Sequence, residues 1–295
     1  MEYRSLGSTG LEVSALGFGC GAIGGLLVRG GYPQMRATVA RAIELGVTYF
    51  DTASTYGNGQ SEANLGAVLR ELGETDSGRV IVGTKVRLGA DAAGRIPAAV
   101  TESVEASLHR LGMERVDLIQ FHNRLDRISR PAEDHWSVEN LMEIADTFQQ
   151  LAAEGKTRFW GFTGLGETGA IVEAVRSGRL HRVQTCFNLL NPTAGQPVAG
   201  DFPYQDYGQV IDVAGEQGVG VIAIRVLAGG ALSGVMERHP VAAPAPNPIG
   251  SAQDYAGDVA HAQRFRHLVD EGHADTLAEA AIRFVIGKPQ VSTAL

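Results

Sequence analysis

Short apolar segments alternate with amphipathic segments along most of the chain. The apolar segments are nearly continuous runs, which is typical of strands buried on both faces. The predicted strands are Ala15–Cys20, Val47–Ala53, Val80–Val86, Val116–His122, Thr157–Thr163, Arg182–Asn188, Val219–Leu227 and Val291–Leu295. The segments between them repeat apolar residues three or four positions apart, which predicts helices with one buried face. Those helices lie near Met35–Leu45, Ala63–Leu69, Val100–Leu111, Leu141–Leu151, Gly169–Ser177 and Tyr207–Glu216, and another follows a long insertion.

The order of these elements predicts the fold class. Strands that alternate with helices pair in parallel, and eight such units predict one closed (β/α)8 barrel, a TIM barrel, over residues 1–295. An open doubly wound sheet is the alternative. An N-terminal β-hairpin is predicted over residues 3–14, around a Ser-Thr-Gly turn. Two long connections, Asn123–Ser137 and Ala228–Gly257, would lie at the carboxyl ends of the strands and shape a pocket there.

Composition narrows the classes of protein. The 295 residues carry a formal net charge of −8, and 44% of them are hydrophobic. A sizeable core is expected, whereas nucleic-acid binding would need a basic face. Cys20 and Cys186 are too few for a disulfide framework or a zinc site, which favours a reducing compartment. The amino terminus has no secretory signal pattern and no apolar segment is long enough to span a bilayer. We expect a cytoplasmic protein with no metal ion and no nucleic-acid or membrane partner.

Ionisable residues stand at or just before the ends of three successive predicted strands. They are Asp51, Lys85 and His122, and Tyr56 lies in the turn after the first of these strands. Barrel enzymes carry their catalytic groups at this end of the strands. An unpaired lysine would be costly to bury at position 85, and Asp51 would offset that cost. The four residues together predict an active site, although each alone also fits an ordinary structural role.

The tyrosine and the lysine suggest acid–base chemistry. An ordinary tyrosine has a pKa of about 10 and exchanges protons poorly near pH 7. A lysine ammonium about 4 Å away would favour the phenolate by roughly 4 kcal/mol at an effective dielectric of about 20, or about three pKa units. Desolvation opposes this effect. Tyr56 paired with Lys85 would thus donate a proton to a carbonyl that His122 orients, and a nicotinamide cofactor is the natural source of hydride.

Four motifs carry a family resemblance. They are RSLGSTGLEVSALGFGCG near the amino terminus, DTASTYG from Asp51, GTKV around Lys85 and DLIQFH ending at His122. In order and spacing, nearly the whole chain resembles the aldo-keto reductases. The resemblance implies NAD(P)H-dependent reduction of an aldehyde or ketone, or the reverse alcohol oxidation, on a (β/α)8 barrel. In that family pattern Tyr56 is the general acid and Lys85 lowers its pKa. Asp51 pairs with Lys85, and His122 orients the carbonyl.

The resemblance also implies a small-molecule carbonyl substrate and a nicotinamide cofactor, NADPH by default with NADH as the alternative. The residues that it brings to the cofactor are Cys20, Gly21, Asp51, Thr163, Gln184, Asn188, Ile224, Arg225, Leu227, Gly229 and Gly230. Thr163-Gly164 stands where the family usually has Ser-Asn, and Ile224 where it often has an aromatic residue. In the family, a segment after the eighth strand binds the adenosine 2′-phosphate. We expect that segment to be absent from a chain that stops at Leu295.

Two other functions fit the same residues. Lys85 could form a Schiff base in an aldolase or lyase, although pairing with Asp51 would keep it protonated. A regulatory protein could keep the fold and bind the cofactor as a sensor, because fold alone does not decide function. Three arginines after the fourth strand, Arg124, Arg127 and Arg130, either face an acidic substrate or form a solvated loop. The sequence leaves the substrate and the oligomeric state open.

Overall fold

The computed structural model of the protein describes residues 1–75 and 77–295. Its strands are β1 (Tyr3–Ser5), β2 (Glu12–Ser14), β3 (Phe18–Gly19), β4 (Tyr49–Asp51), β5 (Ile81–Val86), β6 (Val116–Phe121), β7 (Arg124–Asp126), β8 (His135–Ser137), β9 (Thr157–Thr163), β10 (Arg182–Cys186), β11 (Gly220–Ile224) and β12 (Val291–Ala294). Its α-helices are α1 (Leu26–Arg29), α2 (Tyr32–Glu44), α3 (Gln60–Glu71), α4 (Ile96–Leu111), α5 (Val138–Ala153), α6 (Thr168–Arg176), α7 (Val210–Glu216), α8 (Tyr255–Gln263), α9 (His267–Asp270) and α10 (Leu277–Ile286). Short 3₁₀ helices cover Ala90–Ala92, Pro131–Glu133 and Ala228–Ser233. None of the helices in these two ranges is both long and apolar enough to cross a bilayer.

Eight of the strands form a parallel barrel. Their order around the sheet is β3–β4–β5–β6–β9–β10–β11–β12. The sheet closes where the chain before β3 meets β12. There Leu16 forms a parallel bridge with Ala294, and the Gly17 N–H donates to the Ala294 carbonyl over 2.9 Å. The (β/α)8 prediction is therefore confirmed, and the closed sheet rules out the open alternative.

The helices surround the barrel because each has an apolar face. Helix α5 begins at a capping box in which the Ser137 hydroxyl accepts from the Asn140 N–H, and this satisfies backbone donors that the helix start would otherwise leave unpaired. Its buried face carries Leu141, Ile144 and Phe148. Full burial of one such side chain contributes about 1.5–3 kcal/mol. Packing against the strands therefore stabilises this layer more than helix propensity does.

The amino-terminal hairpin covers the bottom of the barrel. Strands β1 and β2 pair antiparallel, as the sequence predicts. The hairpin loop and β2 pack buried apolar side chains against those that point into the barrel from four strands. We call this cluster the lower layer; it consists of Leu6, Leu11, Val13, Tyr49, Ile81, Leu118 and Ile222. The hairpin closes this end, so the barrel opens at the carboxyl ends of its strands.

Some predicted strands end earlier in the structure. The sixth barrel strand ends at Cys186 rather than Asn188, and the seventh at Ile224 rather than Leu227. Beyond the seventh strand the backbone turns, because Arg225 has a φ of 58°, a left-handed conformation that a regular strand does not use. Apolar runs thus overestimate strand length where the chain enters a turn.

The long insertion after β11 is tied to the loop after β3. The Arg29 guanidinium donates to the Val241 carbonyl over 2.8 Å, and the Arg238 guanidinium donates to the Ile23 carbonyl over 3.3 Å. The Ala243 N–H donates to the Ile23 carbonyl as well, over 3.0 Å. These contacts hold the insertion across the open end of the barrel.

Candidate active site

A cavity of about 680 Å³ lies at the carboxyl ends of the strands. That size is typical of sites for small ligands and cofactors. Most of the predicted site residues line it: Gly21, Asp51, Tyr56, His122, Thr163, Gln184, Ile224, Arg225, Leu227, Gly229 and Gly230. Lys85 contacts two of them, Asp51 and Tyr56, from inside the barrel. The structure thus brings together the four residues that the sequence nominates for chemistry.

Lys85 is the centre of this polar cluster. Its side chain is completely buried, and its ammonium makes three hydrogen bonds. It donates to an Asp51 carboxylate oxygen, to the Thr52 carbonyl over 2.8 Å and to the Tyr56 hydroxyl over 3.2 Å. A buried ammonium without a counterion would be strongly destabilised, so the Asp51 carboxylate is what keeps this group charged inside the barrel.

Asp51 accepts hydrogen bonds from four side chains. One carboxylate oxygen faces Lys85. The other accepts from the Tyr49 hydroxyl over 2.8 Å, from the Gln120 amide over 3.0 Å and from the Gln184 amide over 2.6 Å. Burial raises the pKa of Asp51, but Lys85 and the other donors outweigh burial, so the pKa lies below its ordinary value. Asp51 is therefore ionised at neutral pH.

The lysine keeps its proton. Burial lowers the pKa of Lys85, but Asp51 and Tyr56 outweigh burial, so the pKa lies above its ordinary value. A protonated ammonium has no lone pair with which to attack a carbonyl carbon. The contacts of Lys85 therefore disfavour the Schiff-base alternative.

The pKa of Tyr56 is higher than the charge of Lys85 alone would predict. Burial raises the pKa of Tyr56 and outweighs the lowering effect of Lys85, so the net pKa lies above its ordinary value. The sequence-based expectation gave desolvation too little weight. The phenol is protonated at neutral pH, as a proton donor must be. Lys85 makes it a stronger acid than it would be through burial alone.

His122 stands beside the tyrosine. The two rings meet edge to face with their centroids 5.9 Å apart, and His122 lines the cavity. Burial and, next, the Lys85 charge lower the pKa of His122 to about 3. The imidazole is therefore neutral at pH 7 and offers one N–H donor. A neutral donor can orient a carbonyl oxygen and keep its own proton.

Two side chains of the cavity wall fit the amide of a nicotinamide. The Thr163 hydroxyl is buried and makes no hydrogen bond to residues 1–75 or 77–295. The Gln184 amide gives an N–H to Asp51, which orients its carbonyl oxygen as an acceptor for a bound group. A buried hydroxyl without a partner is costly, and a bound amide would satisfy it. The residues present therefore fit a nicotinamide group.

Another part of the wall fits phosphate. Gly229 and Gly230 have φ values of 69° and 114°, which residues with side chains rarely adopt. The backbone there can approach a ligand closely, although the Gly230 N–H itself donates to the Leu227 carbonyl over 2.8 Å. The Arg225 guanidinium reaches the Asn247 carbonyl only over 3.5 Å, so its charge is available to an anionic group. Glycine backbone and a cation together suit a pyrophosphate.

Two predicted cofactor residues lie outside the cavity wall. Cys20 is buried, with its thiol 3.8 Å from the Phe18 carbonyl. The Asn188 amide donates to the Arg225 carbonyl over 2.9 Å, and its oxygen accepts from two backbone N–H groups. Asn188 therefore shapes the turn that carries Arg225. Direct contact of either residue with a cofactor stays a prediction.

The three arginines after the fourth barrel strand do not line the cavity. Arg127 pairs with Glu167 over 2.7 Å, and Arg130 pairs with Asp126 over 2.7 Å. The Arg127 side chain is 72% exposed and the Arg130 side chain is 41% exposed. The solvated-loop interpretation therefore fits Arg127 and Arg130 better than contact with an acidic substrate.

Sequence reasoning missed other residues around the site. Tyr49 and Gln120 bond to Asp51 from inside the barrel, and Arg238 and Tyr255 line the cavity from the insertion and α8. Tyr49 could have been found, because residues two apart on a strand face the same side. No local pattern marks the two insertion residues. Within the described residues, no group of three or more His, Cys, Asp or Glu side chains is placed to hold a metal ion.

Known proteins share these features of sequence. A sequence model described as the Aldo/keto reductase family matches residues 15–295. A putative voltage-gated potassium channel subunit beta of Schizosaccharomyces pombe is 34% identical over 206 residues, which cover 67% of this chain and 53% of that protein. L-galactose dehydrogenase of Arabidopsis thaliana is 36% identical over 169 residues, which cover 56% of this chain and 49% of that protein. The matched part thus spans about half the length of these relatives.

A solved structure shares the fold. The holo form of an aldo-keto reductase from Bacillus halodurans superimposes with a TM-score of 0.71 at 23% sequence identity. The match covers 100% of this chain and 85% of that one. The match to the family model extends over every barrel strand and all the catalytic candidates, and we conclude that this chain belongs to the aldo/keto reductase family.

Proposed function

We propose that the protein catalyses the NAD(P)H-dependent reduction of a small aldehyde or ketone to an alcohol, or the reverse oxidation. The observation that supports this best is the Tyr56 hydroxyl, 3.2 Å from the Lys85 ammonium, at a cavity that His122 also lines. A proton donor, a cation that strengthens it and a neutral hydrogen-bond donor thus meet at one wall. The similarity to a protein named as a dehydrogenase agrees with this chemistry.

Each residue has a distinct role in the proposed reaction. The reduced nicotinamide, when bound, supplies a hydride to the carbonyl carbon. His122 donates a hydrogen bond to the carbonyl oxygen and orients it. Tyr56 gives its phenolic proton to the same oxygen as negative charge develops there. Lys85 stabilises the resulting phenolate, and Asp51 keeps Lys85 charged and in place.

The cofactor would be held by groups on two parts of the cavity wall. Thr163 and Gln184 would bond the nicotinamide amide. Gly229 and Gly230 would let the backbone approach the phosphates closely, and Arg225 would supply a positive charge beside them. We propose NADPH first, with NADH measured beside it.

A second candidate is a regulatory protein that binds the cofactor with little turnover. The observation that favours it is the similarity to a protein named as a channel subunit. The complete set of Asp51, Tyr56, Lys85 and His122 favours the enzyme instead. The two candidates differ in one measurable property, which is the rate at which bound cofactor is consumed.

The test is the consumption of reduced cofactor, followed by absorbance, with NADPH and NADH in parallel. The substrates would be a panel of aldehydes, ketones and sugars. The Tyr56→Phe variant should lose turnover by about 10²- to 10⁴-fold, because it lacks the proton donor, and should bind NADPH as the unmodified protein does. Tyr32→Phe, at an exposed tyrosine, is the matched control and should keep full activity.

The outcomes separate the candidates. Turnover that Tyr56→Phe abolishes supports the reductase and reports the cofactor preference. Tight NADPH binding without turnover on any substrate would favour the regulatory protein. If neither cofactor binds, both candidates are wrong.

A further inference from the structure

Arg182 is a buried cation that the proposed mechanism does not use. It is the first residue of β10, and its side chain is 0% exposed. None of its three guanidinium nitrogens makes a hydrogen bond to residues 1–75 or 77–295. Burial lowers the pKa of Arg182 to about 10, so the group is still charged at neutral pH. A charged guanidinium without a protein partner is an expensive feature of a barrel interior.

The barrel makes room for this side chain. Gly161 pairs with Arg182 across the sheet, and a Cβ at position 161 would lie 2.0 Å from the Arg182 carbonyl oxygen and 2.8 Å from its Cγ. Gly83 makes similar room for the Tyr49 hydroxyl, which would lie 2.5 Å from a Cβ there. Both glycines therefore accept a large polar residue of a neighbouring strand.

Side chains alternate between the two faces of β10, and this places Arg182 on the same face as Gln184 of the active site. Residues two apart on a strand face the same side, so Arg182 follows Gln184 into the barrel, one layer deeper. Gln184 donates to Asp51, and Tyr49 reaches the same carboxylate from one layer below it on β4. Arg182 thus lies beneath the cluster that holds Lys85.

The net charge of the buried cluster shows how Arg182, as a second cation beside Lys85, would act on the ionisation of Tyr56. Asp51 and Lys85 cancel, so Arg182 leaves a net charge of +1 while Tyr56 is a phenol. The charge becomes zero when Tyr56 becomes a phenolate. In a medium of low dielectric the neutral combination is favoured, and the phenolate is the state that Tyr56 reaches when it donates its proton.

We propose that Arg182 is a positioning residue whose charge, acting through Asp51 and the Lys85–Tyr56 pair, makes Tyr56 a stronger acid. Its value for catalysis rests on the proposed function; its electrostatic effect does not. The other titratable groups around the cluster come from several elements and are Cys20, Tyr49, Asp51, Lys85, His122 and Arg225, the last of which follows β11 and interacts electrostatically with Tyr56. Strands β11 and β12 contain no titratable residue, and Arg158 of β9 is paired outside the barrel with Asp117.

The experiment titrates the phenol directly. A fluorinated tyrosine at position 56 is more acidic than tyrosine and reports its ionisation by ¹⁹F NMR, with neither cofactor nor substrate present. Arg182→Met should raise the pKa of this phenol, by roughly one unit, because a positive charge in the barrel interior favours the phenolate. Arg182→Lys should restore the pKa. Arg158→Met, which removes a surface arginine, should leave it unchanged.

Stability gives a second readout from the same variants. Because Arg182 has no protein partner among the described residues, Arg182→Met should leave the urea midpoint unchanged or raise it. A folded Arg182→Met protein with an unchanged phenol pKa would overturn the proposal. So would an Arg182→Lys protein that behaves like Arg182→Met, because the effect would then not be one of charge.

If Arg182→Met does not fold, a titration of the protein that keeps Arg182 still tests the proposal. Coupling between two charges is reciprocal, so ionisation of the fluorinated phenol should shift the Arg182 guanidinium resonances with the same midpoint. No shift would overturn the proposal. Because this titration uses no cofactor, absence of reductase activity would reject the proposed function and leave this inference standing.

Discussion

The two ends of the barrel interior contrast sharply in composition. The lower layer is almost wholly apolar, and the hairpin seals it. The end that faces the cavity is polar and charged; it carries Asp51, Lys85, Gln120 and Gln184 within one hydrogen-bonded cluster. Both ends lie on the same strands, often two residues apart. The barrel therefore separates an apolar, packed end from the polar end to which we assign the proposed chemistry.

The contrast shows why buried polar groups point to function here. Apolar side chains at the upper end would stabilise the barrel without the cost of desolvating charges. The chain instead buries a lysine and an aspartate there, with Arg182 one layer deeper, and it supplies four donors to one carboxylate. The acid–base chemistry that we propose would account for such an arrangement, whereas packing alone accounts for the lower layer.

The largest expected effect comes from removing the ammonium of Lys85, the cation that contacts Asp51 and Tyr56. Lys85→Met would leave Asp51 buried without its counterion and Tyr56 without the charge that strengthens it as an acid. We expect turnover to fall on the order of 10³-fold and the free energy of unfolding to fall by about 3–5 kcal/mol. Steady-state kinetics and urea denaturation measure the two losses.

A surface lysine provides the control for that variant. Lys156→Met removes an ammonium that pairs with Glu105 and Glu154 near solvent, and such pairs contribute about 0–1 kcal/mol. It should leave both turnover and stability nearly unchanged. If Lys85→Met kept full turnover, the upper end of the barrel would have no acid–base role.

The lower layer should respond in the opposite way. Leu118→Ala would leave a cavity at a fully buried position, and we expect the free energy of unfolding to fall by about 2–5 kcal/mol. Turnover at a temperature where the variant is folded should stay within about threefold. Thermal and urea unfolding give the first quantity. A large loss of turnover in fully folded protein would show that the two ends are not separable.

His122 should make stability depend on pH. Its pKa is lowered to about 3 in the folded protein, whereas an unfolded histidine has a pKa of about 6.5. Between these values the unfolded chain binds the extra proton, so stability decreases as pH falls, by up to about 1.4 kcal/mol per pH unit. His122→Phe should remove this part of the slope in urea titrations between about pH 6.5 and 4. An unchanged slope would mean that the imidazole is not buried as a neutral group.

The smallest expected effect distinguishes a residue that only positions Asp51 from one that would also contact the cofactor. Gln184 and Gln120 both donate to Asp51, but only Gln184 lines the cavity. Loss of one bond to a ligand typically costs about 0.5–1.5 kcal/mol, so Gln184→Leu should weaken NADPH binding several-fold. Gln120→Leu should not, and calorimetry compares the two. Equal effects would show that the loss acts through Asp51.

The barrel and its four catalytic candidates could be predicted from the sequence, because both depend on local signals. Alternation of apolar strands and amphipathic helices indicates the fold. Asp51, Lys85 and His122 each stand at a strand end, where the barrel geometry brings them together. What could not be predicted depends on contacts between distant segments. The insertion brings Arg238 and Tyr255 to the cavity, and no periodicity links that segment to the loop after β3.

The balance of opposing effects was also beyond the sequence. The charge of Lys85 can be estimated from a distance, but the desolvation of Tyr56 depends on every neighbour that excludes water. Arg182 is a similar case. An arginine at the start of an apolar run is compatible with a solvent-facing strand end, and only the structure shows that the side chain is buried beside Gly161 of the adjacent strand.

The closure of the barrel has a consequence for biosynthesis. The bridge between Leu16 and Ala294 joins opposite ends of the described chain, and the Arg4 guanidinium donates to the Val291 carbonyl over 2.9 Å. Strand β12 must therefore leave the ribosome before β3, the first strand of the barrel, gains its second neighbour. Until then the nascent chain exposes an unpaired strand edge, and exposed strand edges promote aggregation. We expect chaperone contact with nascent chains to persist until β12 emerges.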